Sequence, residues 1–364
     1  MTRLAKLSRL SGVPLREGNI KPLVLSPKCS RSISASGAIN MALSLAYAGS
    51  RGLNLLSSWP ANPPVPQVLP GGQFFWLGNE PRPNPNWTTI SQDTSAADSW
   101  YNSLQWLVRK QLSKGLQFQS SFTWSKLIDD KPGFTTLDNG GSGTIGTQLL
   151  PHSFNKGPSD YTVGRSWRFN AIYHLPELTA LHGFAGTLLN GWWTSGILTL
   201  QDGLPFTVTE QSNRSRSQDA GNIPDVALGR SNRSATSGQS AGCQGVPSGT
   251  LLGTPSLYYD PCAFAIQPAG FMGDEGRNIL TDPGIFSLDF SLVKDTALRF
   301  LGEAGKLEFR SEFFNILNRP NFGPPNAVVY AALGAVEAPL QAAGHINTTT
   351  SSSRQIQFAL KVIW

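Results

Sequence analysis

Apolar and polar residues alternate one for one in short runs spread along this chain of 364 residues. The clearest run is the last. Between Arg354 and Trp364, the residues Ile356, Phe358, Leu360, Val362 and Trp364 fall on one side, with Gln355, Gln357, Ala359 and Lys361 on the other. Successive side chains of an extended chain point to opposite faces, so the run predicts a strand with one greasy and one mostly polar face. Phe286, Leu288, Phe290 and Leu292 alternate with Ser287, Asp289 and Ser291 in the same way. Leu307, Phe309 and Phe313 alternate with Lys306, Glu308, Arg310 and Glu312. Further runs centre on Trp106 and Val108, on Phe118 and Phe122, on Trp167 and Phe169, and on Leu43 and Leu45. The stretch from Trp192 to Thr209 is strand-like but less regular, and Arg31 to Ser36 is the weakest candidate.

These runs predict an all-β chain, an antiparallel meander of about nine strands. Several approach the length of about 9–11 residues that a tilted strand needs to cross a bilayer. The connections carry as much information. Short links near Ser36-Gly37-Ala38, Ser113-Lys114-Gly115 and Gly302-Glu303-Ala304-Gly305, and a moderate one from Pro176 to Asn190, alternate with long irregular stretches near 50–98, 130–160, 211–283 and 318–353. A transmembrane barrel has this rhythm, because its inner turns are short and its external loops long. Structureless loops of such length would count against a compact soluble domain. Aromatic residues gather near strand ends, among them Trp100, Trp124, Trp167, Trp192, Trp193 and Trp364, as in the girdles at the two membrane interfaces.

Composition agrees. Charged residues are only 14% of the chain, and glycine (37) and proline (26) are plentiful, a mixture suited to many strands joined by irregular loops. Lysine and arginine exceed aspartate and glutamate by 29 to 23, with no basic run, so nucleic acid is not an expected partner. Cysteines stand at positions 29, 243 and 262, without a C-x-x-C. Cys243 and Cys262 share one loop-like stretch. They would pair in an oxidising compartment and remain two free thiols otherwise.

No zinc-protease, phosphate-loop or nucleophile-elbow motif occurs, and the four histidines never take ligand spacing. Neither catalysis nor a cofactor is therefore expected. Asp129, Asp130 and Asp160 read as solvated residues where a strand enters its loop, and His174 as a polar wall residue. Residues 1–25 carry basic residues but no apolar run of about 7–15 residues, so no signal peptide is legible there.

The chain resembles the Oar-like TonB-dependent receptors of acidobacterial type. The segments that carry the resemblance are DPCAFAIQPAGFMGDEGRNILTDPGIFSLDFSLVKD at 260–295, KLEFRSEFFNILNRPNFGPPN at 306–326 and RQIQFALKVIW at 354–364, with earlier ones at 46–56, 101–130, 154–178 and 191–208. The resemblance implies a Gram-negative outer-membrane location and a barrel of about 22 strands, of which this chain would supply the last ones. Residues 1–28 are expected to be an irregular segment and 29–364 a partial barrel without signal, plug or TonB box. The expected partners are the upstream strands and plug, the outer-membrane insertion machinery, the lipid bilayer, and TonB through the plug. Arg109, Arg168, Arg310 and Glu312 are expected to line the interior. Ile356, Phe358, Leu360, Val362 and Trp364 are expected to form the assembly signal read by the insertion machinery. The transported solute is not legible. A surface protein displaying binding loops, a truncated non-functional receptor and a soluble β-sandwich are the competing readings.

Overall fold

Every backbone N–H and C=O that leaves water must find a partner, and in this chain the partners come from neighbouring strands. The computed structural model describes residues 24–37, 40–88, 90–130, 152–217 and 222–364. Among the described residues, nine long strands form one sheet: β1 (Val24–Gly37), β2 (Met41–Pro60), β3 (Ser91–Ser113), β4 (Leu116–Asp129), β5 (Arg165–His174), β6 (Trp192–Gln201), β7 (Ile285–Ala297), β8 (Lys306–Phe314) and β9 (Gln355–Ile363). Each pairs antiparallel with its sequence neighbour, so strand order in the sheet is chain order, with β1 and β9 at its two ends. A two-residue segment, Gly157–Pro158, adds to the far end of β4.

Register decides whether the alternating runs add up to a surface, because a slip of one residue would send each apolar side chain to the other face. Here they add up. Leu45 lies opposite Trp106, Trp106 opposite Phe122, Phe122 opposite Trp167, Trp167 opposite Leu200 and Leu200 opposite Phe286, one apolar row across six strands. A second row runs Phe118, Ala171, Gly196, Phe290, Phe313 and Ile356. Aromatic rings meet within the face: Trp106 stacks on Phe122 at 4.5 Å, and Phe309 on Phe358 at 6.3 Å. Among the described residues no second layer covers this side. Trp106 is 42% exposed, and Phe358 and Leu360 are each 68% exposed.

The opposite face is polar and internally paired. Arg109 lies opposite Gln119 and donates from Nε to its Oε1 at 2.9 Å. Asn170 continues that row. On β7 and β8 the charges form a chain of contacts. Asp295 meets Lys306 at 3.1 Å, Lys306 meets Glu308 at 3.7 Å, Glu308 meets Arg310 at 2.9 Å, and Arg310 meets Glu312 at 3.3 Å. Residues two apart on a strand share a face, which is what allows one strand to string four alternating charges together.

Connections at the two ends of the sheet differ. At one end β3 turns into β4 through Lys114 and Gly115, both with positive φ (51° and 77°), the backbone that matches strand twist in a two-residue hairpin. A β-carbon at Gly115 would lie 2.5 Å from the His174 carbonyl oxygen, so glycine is required for close approach as well as for φ. The β5–β6 link holds a short helix, α1 (Gly183–Leu189), and the β7–β8 link a single turn at Arg299–Leu301. At the other end the connections are long. Several boundaries differ from the sequence reading: β2 runs to Pro60 and β3 starts at Ser91, inside the stretch 50–98 expected to be irregular. β1 begins at Val24, inside the stretch 1–28 expected to be irregular; residues 1–23 lie outside the described residues. β6 stops at Gln201, because Phe206 and Val208 leave the sheet for a core of their own.

The register separates two neighbouring residues of β8. Phe309→Arg would place a charge on the uncovered apolar face, at a cost on the order of 2–4 kcal/mol if that face meets hydrocarbon at mid-bilayer. Arg310→Ala leaves Glu308 its contact with Lys306. We expect the Phe309 variant to lose most of its heat-modifiable folded band in membranes and the Arg310 variant to keep it.

Candidate functional site

The long connections do not hang free. They were expected to be structureless, yet the second half of the chain folds them into a cap over the strand ends with its own apolar core. Phe206 and Val208 from the β6–β7 connection pack with Tyr259, Phe264 and Leu280 of the same segment, and with Val329 and Tyr330 from the β8–β9 connection. A short parallel pairing of Thr209–Glu210 with Val328–Tyr330 joins these two connections. Two tyrosine hydroxyls, buried with their rings, donate to backbone carbonyls: Tyr330 to Phe264 at 2.8 Å and Tyr259 to Asn326 at 3.1 Å. Burying a hydroxyl without a partner would cost energy, so these bonds fix which loop carbonyl each ring packs beneath.

The β2–β3 connection docks on the same cap through Trp76. Its ring is fully buried, its Nε1 donates to Pro64 O at 3.1 Å and its backbone N–H to Gly270 O at 2.9 Å. Beside it Phe75 and Phe271 meet at 4.9 Å. The β4–β5 connection is tied by Arg277, whose side chain is fully buried. It forms an ion pair with Asp129 and donates to Asn155 O at 2.8 Å and to Asp129 O at 2.9 Å. The next residue, Asn278, donates to Pro158 O at 2.8 Å and to the Asp160 carboxylate. Asp129, Asp130 and Asp160 are thus buried among loop groups, contrary to the expectation that they are solvated. The buried guanidinium holds Asp129, while Asp130 accepts from the Asp98 N–H and Asp160 from Asn278; removing Arg277 would leave the Asp129 carboxylate unpaired in a dry site.

Cys243 and Cys262 are joined by a disulfide, with Cα atoms 5.6 Å apart. The bridge closes a loop spanning 19 residues beside the cap core. Asp260 organises its base, accepting from Cys262 N–H at 3.1 Å and from the Ser240 hydroxyl at 2.8 Å. Closing a loop of this size removes entropy from the unfolded chain worth about 3 kcal/mol.

Acidic groups in the cap are held in an unusual state. Burial pushes the Glu210 carboxyl up to about 7, with Asp225 and Glu337 adding to the effect and Arg214 opposing it. Burial also raises Glu275 well above the ordinary carboxylate value, and lifts Asp282 to about 6. The side-chain amide of fully buried Gln267 interacts with the Glu210 carboxyl and, more than Arg214, opposes the rise. The cap therefore encloses acids whose carboxyl groups hold their protons to higher pH than ordinary carboxylates do. Asp282 borders a cavity of about 660 Å³ between the β6–β7 and β8–β9 connections, where Tyr161, Phe206, Thr207, Phe322 and Thr350 also reach the wall. That mixture of ring faces, hydroxyls and three acids (Asp160, Asp202 and Asp282) suits a polar organic solute with apolar parts. Among the described residues no group of three or more His, Cys, Asp or Glu side chains gathers to hold a metal.

The sequence-predicted residues divide between two places. Arg109, Arg168, Arg310 and Glu312 all lie on the polar face of the sheet by register, and none enters the cap. Ile356, Phe358, Leu360 and Val362 line the apolar side of β9, with exposed Trp364 just beyond its end. His174, also on the polar face, stacks on Trp193 at 5.8 Å near the short-turn end. Trp76, Arg277 and Glu210 were not singled out in the sequence. Only the tryptophan, a large apolar residue inside a proline-rich polar stretch, carried any local signal.

A sheet of neighbour-paired antiparallel strands, apolar and uncovered on one side, polar on the other, with short turns at one end and long loops at the other, defines an outer-membrane β-barrel architecture. Comparison with known families agrees: residues 32–357 match the family model described as an outer membrane beta barrel domain, and the chain belongs to that family. Its location is accordingly the outer membrane, and membership is of a family whose members are typically not catalysts. Among solved structures, the outer membrane transporter YddB from Escherichia coli resembles this chain with a TM-score of 0.45 and 11% identity. The match covers 94% of this chain and 33% of that one, so the chain spans about a third of that transporter's length. No curated protein matches.

The cap acids give a pH dependence of definite sign. A carboxyl whose folded pKa is raised favours the folded state fully below its unfolded value, and that advantage is lost as pH rises toward the folded pKa. For Glu210 the window runs from 4.5 to about 7. Limited proteolysis of the β6–β7 connection should therefore quicken as pH rises through that window. Glu210→Gln should flatten the rise. A rate independent of pH in the parent protein would refute the assignment.

Proposed function

We propose that the chain is the C-terminal barrel portion of a TonB-dependent receptor of Oar-like type, which takes up a large or scarce solute across the outer membrane. The observation that carries this reading is the folded cap. Four connections tied by Trp76, Arg277 and the Cys243–Cys262 bridge form a pre-organised receptor surface at one end of a strand array whose other end is closed by tight turns. A passive pore has no need of so elaborate a lid, whereas capture of a dilute solute does, since a rigid site loses less entropy on binding. Arg109, Arg168, Arg310 and Glu312 would then line the interior, facing a plug supplied by upstream sequence. Upstream strands would pair with β1 and β9 to close the barrel, because an open sheet edge cannot stay in hydrocarbon. The insertion machinery would recognise β9 through Ile356, Phe358, Leu360, Val362 and Trp364. Residues 24–364, which include all of β1, would form one barrel unit.

The polar cavity beside Asp282 favours an oligosaccharide or peptide fragment over a bare ion as the solute. A surface-adhesion role shares the cap but requires no energy input. Growth of the native bacterium on oligosaccharide and peptide pools, with TonB intact or deleted, tests the proposal. The gene's deletion should abolish use of one pool, and TonB deletion should reproduce that loss. Loss of surface attachment without loss of uptake would instead establish the adhesion role. Removal of Trp364 should lower the amount of assembled protein in the membrane several-fold without altering the solute preference of what remains.

A further inference from the structure

We propose that α1 is a membrane anchor, a short helix lying in the plane of the inner leaflet that holds the short-turn end of the barrel at the phospholipid interface. The link that carries it, residues 176–191, is not a polar turn. Glu177 is its only acid or base apart from His182, while Leu178, Leu181, Phe184, Leu188 and Leu189 are large and apolar. A helix of seven residues is marginal in water, so its order comes from ties to its surroundings. The Asn190 side chain accepts from the Leu178 N–H at 2.7 Å and donates to Leu178 O at 3.4 Å, closing the link on itself. Gly186 packs on the preceding turn, where a β-carbon would lie 2.5 Å from Leu181 O. Trp192 donates from Nε1 to Leu188 O at 2.9 Å.

The helix is thus ordered, yet its apolar side chains are not buried. Phe184 is 83% exposed, and Leu188 and Leu189 are 53% and 51% exposed. At about 100° per residue, Phe184, Ala185, Leu188 and Leu189 share one arc of about 140°, and Thr187 lies outside it. The indole bond shows which side of the sheet the helix occupies. In register, Trp192 lies opposite Lys294, Thr194 opposite Leu292 and Gly196 opposite Phe290, so Trp192 belongs to the apolar side. A segment enclosed by the sheet would meet the other side. Two lysines mark where hydrocarbon ends. Lys110, opposite Phe118, shares the apolar side with Lys294, and each turns its ammonium to the carbonyl of a short link: Lys110 to Ser113 O at 3.4 Å, Lys294 to Asn190 O at 2.5 Å. Lysine stems laid along apolar surface with their heads drawn to the nearest polar group are the mark of a membrane interface. In the neighbouring β7–β8 link, Phe300 is 81% exposed and widens the apolar rim. An exposed apolar arc continuous with a lipid-facing surface, beside such lysines, fits the headgroup–acyl boundary, into which in-plane helices sink about 5–10 Å. The long loops are external, so this end lies at the inner, phospholipid leaflet. The inference rests on the outer-membrane location and is independent of any transported solute.

The test uses the full chain in native outer-membrane vesicles and, after purification, in phospholipid vesicles. In a Cys29→Ser background, Phe184→Cys, Thr187→Cys and Leu188→Cys each carry a fluorophore. We expect phospholipids brominated near the glycerol end of the acyl chain to quench the labels at 184 and 188 severalfold more than the label at 187, and aqueous iodide to do the reverse. Phe184→Ser with Leu188→Ser should keep the heat-modifiable folded band, because the ties through Asn190 and Trp192 remain. It should also raise iodide quenching of a label at Leu189→Cys severalfold. Iodide that reaches 184 and 188 as readily as 187 would overturn the proposal, and this reading decides the matter even where the double variant fails to assemble. A Leu189 label indifferent to the serines in an assembled barrel would overturn it too. So would shielding present in native membranes and lost in pure phospholipid, which would assign the surface to a protein partner.

Discussion

Hydrocarbon offers no partner to a peptide group, and from that single constraint most of this structure follows. Each strand must hand its N–H and C=O groups to a neighbour, and the cheapest neighbour is the next strand along the chain. The result is an uninterrupted meander from β1 to β9. Pairing in turn fixes register, and register gathers the alternating side chains into one apolar and one polar surface. Among the described residues no protein layer lies over the apolar surface, because lipid is its solvent. On the polar side the charges satisfy one another, in the chain of contacts from Asp295 through Lys306, Glu308 and Arg310 to Glu312.

Beyond the bilayer the constraint relaxes and the chain changes its method. β2 and β3 continue pairing up to Pro60 and Ser91, where alternation has already faded, since both faces there meet water or loops. Past the strand ends, stability comes from a conventional core. Phe206, Tyr259, Phe264 and Val329 supply its apolar contacts, while Arg277 and the disulfide lock its base. The cap thus resembles a small globular domain distributed over four connections. Its shape is set before any solute arrives, which is what a receptor surface requires and a set of mobile tethers would not provide.

How much of this was legible in the sequence follows from where order is local. The run from Ile356 to Val362 announced its strand because a bilayer-facing strand repeats every two residues. Lys114-Gly115 announced its turn for the same local reason. The Arg277–Asp129 pair joins the β6–β7 connection to the end of β4, and no periodicity or motif links them. Trp76 reads as a loop residue until Gly270 and Pro64 are seen around it. The three acidic residues at the loop entry were read as solvated because acids usually are; only the buried guanidinium and Asn278 reverse that default. Val24–Ser30 escaped notice because a short, polar stretch with a proline carries little alternation.

The central claim is that one side of this sheet meets lipid and the other does not. Single cysteines placed in turn at Ile356, Gln357, Phe358, Ala359, Leu360 and Lys361 of β9, labelled with a nitroxide in reconstituted membranes, test it directly. Collision with oxygen, which concentrates in the acyl region, should be high at 356, 358 and 360. Collision with a water-soluble nickel chelate should be high at 357, 359 and 361. Accessibility that does not alternate with a period of two, or that alternates with the opposite phase, would contradict the account.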